Sequence, residues 1–276
     1  MVAWLQQCQI ETVVLESAGV YWMTLFEVLE ERGFDVKLVD AHDARQVPGR
    51  KTDVKESQWL QELHTYGLLH GAFRPEEQVC VLRSSLRQRR MLVAMASRAV
   101  QPRQKALEQM HLTWTEVASD IHGKTGMEML HAILAGERDP QRLASHRDRR
   151  CKHDQATIAK ALEGHWRAEH LFTLQQALEQ YEFLQQQLQA CETQIEACLQ
   201  TFVTHVDVDT PPPAPARKRR ARQRHAPSFD VHGYLAALTG VDLTQMDGIA
   251  ALTALKVIRE IGLDMTRWPT GKHFAS

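Results

Sequence analysis

The segment HLFTLQQALEQYEFLQQQLQACETQIEACLQTF, residues 170–202, sets Leu171, Leu174, Leu178, Tyr181, Leu184, Leu188, Cys191, Ile195, Cys198 and Phe202 at three- and four-residue steps. Spacing of this kind, sustained over more than four heptads with one slip of register at Tyr181–Leu184, dictates a long helix carrying a single apolar stripe. The stripe has to be covered by something. An antiparallel hairpin within the chain and a seam between two copies satisfy it equally well, and Gln-rich flanks without strong charge patterning do not choose between them.

The N-terminal quarter follows a different rule. TVVLES is a short β-branched run ending in an acid and a serine, and VYWMTLFEVLEERG shows helical spacing at Leu25, Val28 and Leu29 before Gly33 ends it. FDVKLVDA reads as a second strand, so the segment is a βαβ unit with a parallel sheet covered by its helix, and the fold class is α/β at this end. Ligands of such sheets sit at the carboxyl ends of the strands. Glu16, the last residue of the first strand, stands at that end.

PGRKTDVKESQWL, residues 48–60, follows with Asp53 and Glu56 three positions apart, after a Pro-Gly turn and before an apolar run. An Asp followed three residues later by a Glu at a helix start is a capping-box pattern, in which both side chains serve backbone N–H groups. Acids three apart also share one helix face and can reach one cation together. Both readings stand on the spacing.

A long helical region is expected from about Val79 to Met110, with Pro102 placed to kink or split it. Arg83, Arg87 and Arg90 recur along it, with Arg89, Arg98, Arg103 and Lys105 close by. Such a face is either simply solvated or tracks phosphates. Residues 111–165 read as short helices separated by Gly123, Gly126, Gly136 and Gly164. VDVDTPPPAPARKRRARQRHAPS then breaks the composition, with four prolines followed by Arg217, Lys218, Arg219, Arg220, Arg222 and Arg224. It cannot bury a core and is expected to be an extended linker whose cations suit nucleic-acid phosphates. The last segment reads as a helix, a turn around Gly248, and a helix from about Ala250 to Ile261.

Global composition narrows the class less than these local patterns do. Lys and Arg total 33 against 34 Asp and Glu, so any polyanionic partner has to be argued from distribution. Five cysteines without a CxxC pair speak against a zinc ribbon or a secreted disulfide framework and for a reducing cytoplasm. No leader pattern and no run of about 18 apolar residues is present, so no membrane span is expected.

Taken together, LESAGVYW, LVDAHDARQVPGRKTDVKESQWL, the heptad stretch and DGIAALTALKVIREIGLDMTRWPTGKHFAS resemble the DEDD transposases of the insertion sequence 110 group, relatives of the pilin gene invertase. The resemblance implies an RNase H-like, RuvC-type domain over 1–165, a coiled-coil helix over 166–205, the linker over 206–229 and a partial C-terminal transposase domain over 230–276. It implies DNA strand cleavage and transfer, with Glu16, Asp53 and Glu56 as catalytic carboxylates holding Mg²⁺ or Mn²⁺. It implies DNA as partner, in some members a guide (bridge) RNA, and a homo-oligomer formed through the coiled coil. Arg83, Arg87, Arg90 and the linker cations are then the expected nucleic-acid contacts. Glu56 stands where the family has Asp. The family's first acid, on a strand upstream of the second, and its nucleophilic serine, beyond KHFAS, have no counterpart here, and Ser276 is not that serine. The chain is therefore expected to be a fragment truncated at both ends, either a transposase with incomplete chemistry or a nucleic-acid-binding, dimerising remnant.

Overall fold

The computed structural model describes residues 1–17, 19–40, 53–69, 71–113, 123–149, 151, 153–203, 226–266 and 268–275. The chain divides into two compact units, Met1–Glu76 and Glu77–Ser276. Among the described residues no helix is long and apolar enough to cross a membrane.

The first unit is built on a βαβ core. After a short helix α1 (Val2–Gln7), strand β1 (Thr12–Glu16) pairs in parallel with β2 (Asp35–Val39), in register from Thr12↔Asp35 to Glu16↔Val39. A parallel pair needs a crossover, and α2 (Trp22–Glu31) supplies it. Its inward face is Trp22, Leu25, Phe26 and Leu29, the i, i+3, i+4, i+7 pattern of an amphipathic helix, with Phe26 and Leu29 buried. Val28, expected on this face, is 39% exposed, and Phe26 one turn before Glu30 takes its place. The helix stops because Gly33 adopts φ +83°, a left-handed conformation that a side chain disfavours. Phe34, Leu38 and Val39 complete the small core.

Two tethers fix the unit's periphery. The Ala72 N–H donates to Leu38 O at 2.6 Å, laying the chain against β2, and Arg74 donates to Glu27 at 3.0 Å and Glu30 at 3.1 Å while its guanidinium covers the Phe26 ring at 4.5 Å. Helix α3 (Asp53–Thr65) packs against β1, and His64 in its last turn shares a 2.9 Å hydrogen bond with the Thr12 hydroxyl.

The second unit is a helical hairpin with a subassembly at each end. One arm is α4 (Glu77–Arg98) followed by α5 (Val100–Gln109); the other is α9 (Ala168–Val203). The break at Ala99 lies three residues before Pro102, because that proline has no N–H to give the Arg98 carbonyl and its ring crowds it. The arms run antiparallel. Near one end the Cys198 thiol faces Gln78 O, then Cys191 donates to Ser85 O at 3.4 Å, Arg89 meets Glu192, and Arg103 lies over the Tyr181 ring at 4.0 Å. The apolar stripe of α9 is thus covered inside the chain, which resolves the choice between hairpin and intermolecular seam for these residues. Tyr181, at the slip of register, serves as a flat platform for Arg103.

Three apolar clusters follow the hairpin. At one end Ala106, Leu107 and Met110 pack with α6 (Lys124–Leu134), α7 (Pro140–Ala144), α8 (Gln155–Ala161) and Leu174 and Leu178 of α9. In the middle Leu92, Ala96 and Ala99 meet Leu184 and Leu188. At the other end Val79, Leu82 and Leu86 join Ile195, Leu199 and Phe202 with α10 (Val231–Thr239) and α11 (Ala251–Ile261). Each fully buried leucine stabilises by about 1.5–3 kcal/mol in transfer terms, so these clusters dominate the hairpin's stability. A 3₁₀ turn (Leu243–Gln245) separates α10 from α11, and α12 (Gly271–Ala275) ends the described chain.

Capping follows the sequence closely. Asp139, ahead of Pro140, accepts from Gln141 N at 2.9 Å, and Asp154 accepts from Thr157 N at 2.8 Å, each filling the role of an N-cap. Gly126, expected to separate helices, lies buried inside α6. Gly164 is required for a different reason: a Cβ there would strike Met110 O and approach Leu112 Cδ2 to 2.8 Å.

Candidate functional site

The carboxyl end of the two-stranded sheet is where a βαβ unit collects ligand-binding groups. Glu16 closes β1 and is half-buried; the Ser17 N–H continues the ladder to Val39 O at 2.9 Å. Asp40 follows β2 directly and is exposed. Because Glu16 lies opposite Val39, Asp40 is one step beyond Glu16 at the same end of the sheet. Sequence reasoning passed over Asp40, although an acid directly after FDVKLV carries the same signal as the acid closing TVVLE.

Helix α3 begins at Asp53, so TDVKES does open a helix. The Asp53 side chain lies outside the described residues, and with it the reciprocal cap. Glu56, one turn into α3, is half-buried. These donors are all carboxylate oxygens, the set that suits Mg²⁺ or Mn²⁺ rather than a thiophilic ion. Among the described residues no group of three or more His, Cys, Asp or Glu is gathered within reach of one ion. The donor chemistry fits a hard divalent ion.

The expected nucleic-acid contacts separate into three kinds. Arg83 is committed within the fold: it donates to Arg259 O at 3.1 Å and Glu260 O at 3.0 Å, the last carbonyls of α11, and pairs with the Glu260 carboxylate at 3.2 Å. Arg87 and Arg90 are exposed. Arg217, Lys218, Arg219, Arg220, Arg222 and Arg224 lie outside the described residues. Arg89 and Arg103, on the same helical arm, are buried in the hairpin.

A polar cluster sits between α10 and α11. Asp242 accepts from the Thr244 hydroxyl at 2.6 Å, Thr244 N at 3.0 Å and Gln245 Nε2 at 2.8 Å, and faces His232 Nε2 at 2.9 Å. The Thr244 hydroxyl bond first, and the Gln245 amide next, hold its carboxyl far below the usual carboxylate range. Its pKa is depressed by folding, so its stabilising contribution is complete above the unfolded value near 3.8 and is lost as pH falls below it. Asp242→Asn should therefore flatten the chain's loss of stability between about pH 4 and pH 2. Urea midpoints across that window measure it; an unchanged acid slope would refute the assignment.

All five cysteines are free thiols, and burial raises the pKa of Cys191 and of Cys198. These two act as small apolar groups of the hairpin rather than as nucleophiles.

Comparison with known proteins adds the class that geometry alone leaves open. Residues 1–112 match a family model described as a transposase. The model is that of the DEDD transposases of the insertion sequence 110 group, and the matched residues take in the first unit together with α4 and α5. No curated protein and no solved structure matches the chain.

Proposed function

We propose that the chain is a DNA transposase module of an insertion sequence, acting in the cytoplasm, whose first unit binds a divalent cation at the sheet's carboxyl end through Glu16, Asp53 and Glu56. The observation that supports this reading is that Glu16 ends β1 while Asp53 and Glu56 open α3, the helix that packs against β1, within the segment matched by the transposase model. The bond between His64 and Thr12 anchors the last turn of α3 at the start of β1. From that anchor Glu56 is eight residues away along the helix, about 12 Å. Glu16 is four residues away along the strand, about 13 Å. Asp53 opens that helix and Glu56 lies one turn into it, so both acids belong to the element that packs against β1.

Mg²⁺ or Mn²⁺ at this position would stabilise the charge on the attacking and leaving oxygens of a phosphodiester. The role of the chain's own residues is to present carboxylate oxygens from a rigid strand end and a helix start, which fixes their spacing before DNA arrives. The linker cations, Arg217 to Arg224, supply sequence-independent attraction to the phosphate backbone. A guide RNA as a further partner rests on the family resemblance. A second copy would have to dock on a face other than the apolar stripe of α9, which is covered within the chain.

The second reading is binding without cleavage, favoured by Glu56 standing where the family has Asp, which lengthens one metal-directed arm by a methylene. Nicking of supercoiled plasmid carrying the gene's own flanking DNA, with Mg²⁺ or Mn²⁺ present, separates the two. Cleavage that falls on the order of 100-fold in Glu16→Gln and in Asp53→Ala, with DNA affinity retained, supports the catalytic reading. Salt-sensitive binding with no metal-dependent nicking supports the second.

A further inference from the structure

We propose that the outer face of the α4–α5 arm is a docking surface for the backbone of duplex DNA, formed by Arg87, Arg90, Arg98 and Lys105 with Met91 and Met95 between them. The inference rests on the DNA reading above and assigns it a surface. From Gln78 to Leu107 the chain has seven cations and no Asp or Glu. The fold divides those cations cleanly. Arg83 caps α11, Arg89 pairs with Glu192, and Arg103 stacks on Tyr181.

The remaining four are exposed, and among the described residues none of them is paired with a carboxylate. Within α4, at about 100° per residue, Arg87 and Arg98 fall within roughly 20° of one another around the helix axis, with Met91 beside them and Arg90 on the flank, and Lys105 follows on α5 beyond the break at Ala99. The buried residues Leu82, Leu86, Leu92, Ala96, Arg103 and Leu107 occupy the opposite side. Met91 and Met95 are 49% and 41% exposed, an apolar strip along the edge of the basic stripe away from Arg90.

Chemistry selects the occupant. Four exposed cations along the arm, with Glu108 beyond Lys105 the nearest acid in sequence on the C-terminal side, attract a polyanion, and adaptable methionines suit the apolar faces of sugars between phosphates. Arg87 to Arg98 spans about 17 Å of helix rise, roughly half of one turn of duplex, which is about 34 Å. A helix such as α4 fits the wide major groove or backbone rim of B-form DNA but not the deep, narrow major groove of A-form RNA.

The test is fluorescence anisotropy of a labelled 30-base-pair DNA with the 276-residue chain across a salt series. R87Q/R90Q/R98Q/K105Q should lower the slope of log affinity against log salt by about 3 to 4, since each phosphate contact contributes about 0.9. The double variant R87Q/R98Q should lower it by about 2 and guards against misfolding of the quadruple variant. Matched removal of four other exposed lysines, K124Q/K160Q/K256Q/K272Q, should leave most of the slope in place. An unchanged slope in the R87Q/R98Q chain, or a loss confined to duplex RNA, overturns the docking surface while the DNA reading survives. A parent chain that binds no DNA at low salt overturns both.

Discussion

Glu192→Ala is expected to destabilise the second unit by about 3–5 kcal/mol, a large part of a typical domain's roughly 5–15 kcal/mol. Glu192 is 4% exposed and Arg89 is 7% exposed, on opposite arms of the hairpin. One carboxylate oxygen receives Arg89 Nε at 2.8 Å and Nη2 at 2.7 Å. The other receives both the N–H and the hydroxyl of Ser228, at 2.8 and 2.7 Å. Alanine would leave a buried guanidinium without its counterion and a backbone N–H without its acceptor, and each loss costs more than the intact bond contributes. Urea unfolding followed by helical circular dichroism should show the midpoint falling with little change in slope. Replacing both partners with apolar residues, Arg89→Met with Glu192→Leu, should recover most of the loss. A single Glu192→Ala variant within about 1 kcal/mol of the parent would show that the pair does not clamp the arms.

The second large effect is steric. Gly164→Ala would push a methyl group into the Met110 carbonyl and the fully buried Leu112 side chain. The neighbouring His165 N–H donates to that same carbonyl at 2.8 Å, so relieving the clash means moving the segment off its hydrogen bond. Overpacking costs about 1–3 kcal/mol and the bond about 1 more, giving an expected loss of about 2–4 kcal/mol. Thermal melting of the variant checks it. Gly136→Ala makes the comparison, because Gly136 has φ +100° and open space within 4 Å of where the added methyl group would stand; its cost should be the smaller one of backbone strain alone.

The contrast between those two glycines bears on what the sequence could tell. Both punctuate helices in the one-dimensional pattern, yet one is needed for its dihedral angle and the other for a contact with a residue more than fifty positions away. Local physics was legible: the βαβ unit, the stop at Gly33, the break near Pro102 and the α11 span from Ala251 to Ile261 all follow from spacing and backbone constraints. Partner choice was not. The α9 stripe looks the same whether its cover is α4 and α5 or another copy, because periodicity records that a face is apolar and not what meets it. The arginines show the same limit. Arg83, Arg87 and Arg90 share a helical spacing, but Arg83 faces the carbonyls of a helix 176 residues later, and Arg89, between them, meets the buried acid of a Gln-rich helix. Of the candidate acids, Glu16 and the α3 start were legible as a strand end and a helix start; Asp40 was missed although the same logic selects it.

The hairpin's far end also sets a schedule for the chain as it is made. Val79, Leu82 and Leu86 share a core with Leu255 and Ile258, which are synthesised roughly 170 residues later, about 10–35 s at ordinary ribosomal rates. Until then those leucines have only the α9 arm to meet, and before α9 emerges they have nothing. A nascent chain of this protein thus carries a bare apolar helix face for roughly 115 residues of synthesis, until α9 emerges, and a half-covered one until α11 does, the kind of transiently exposed surface that invites aggregation.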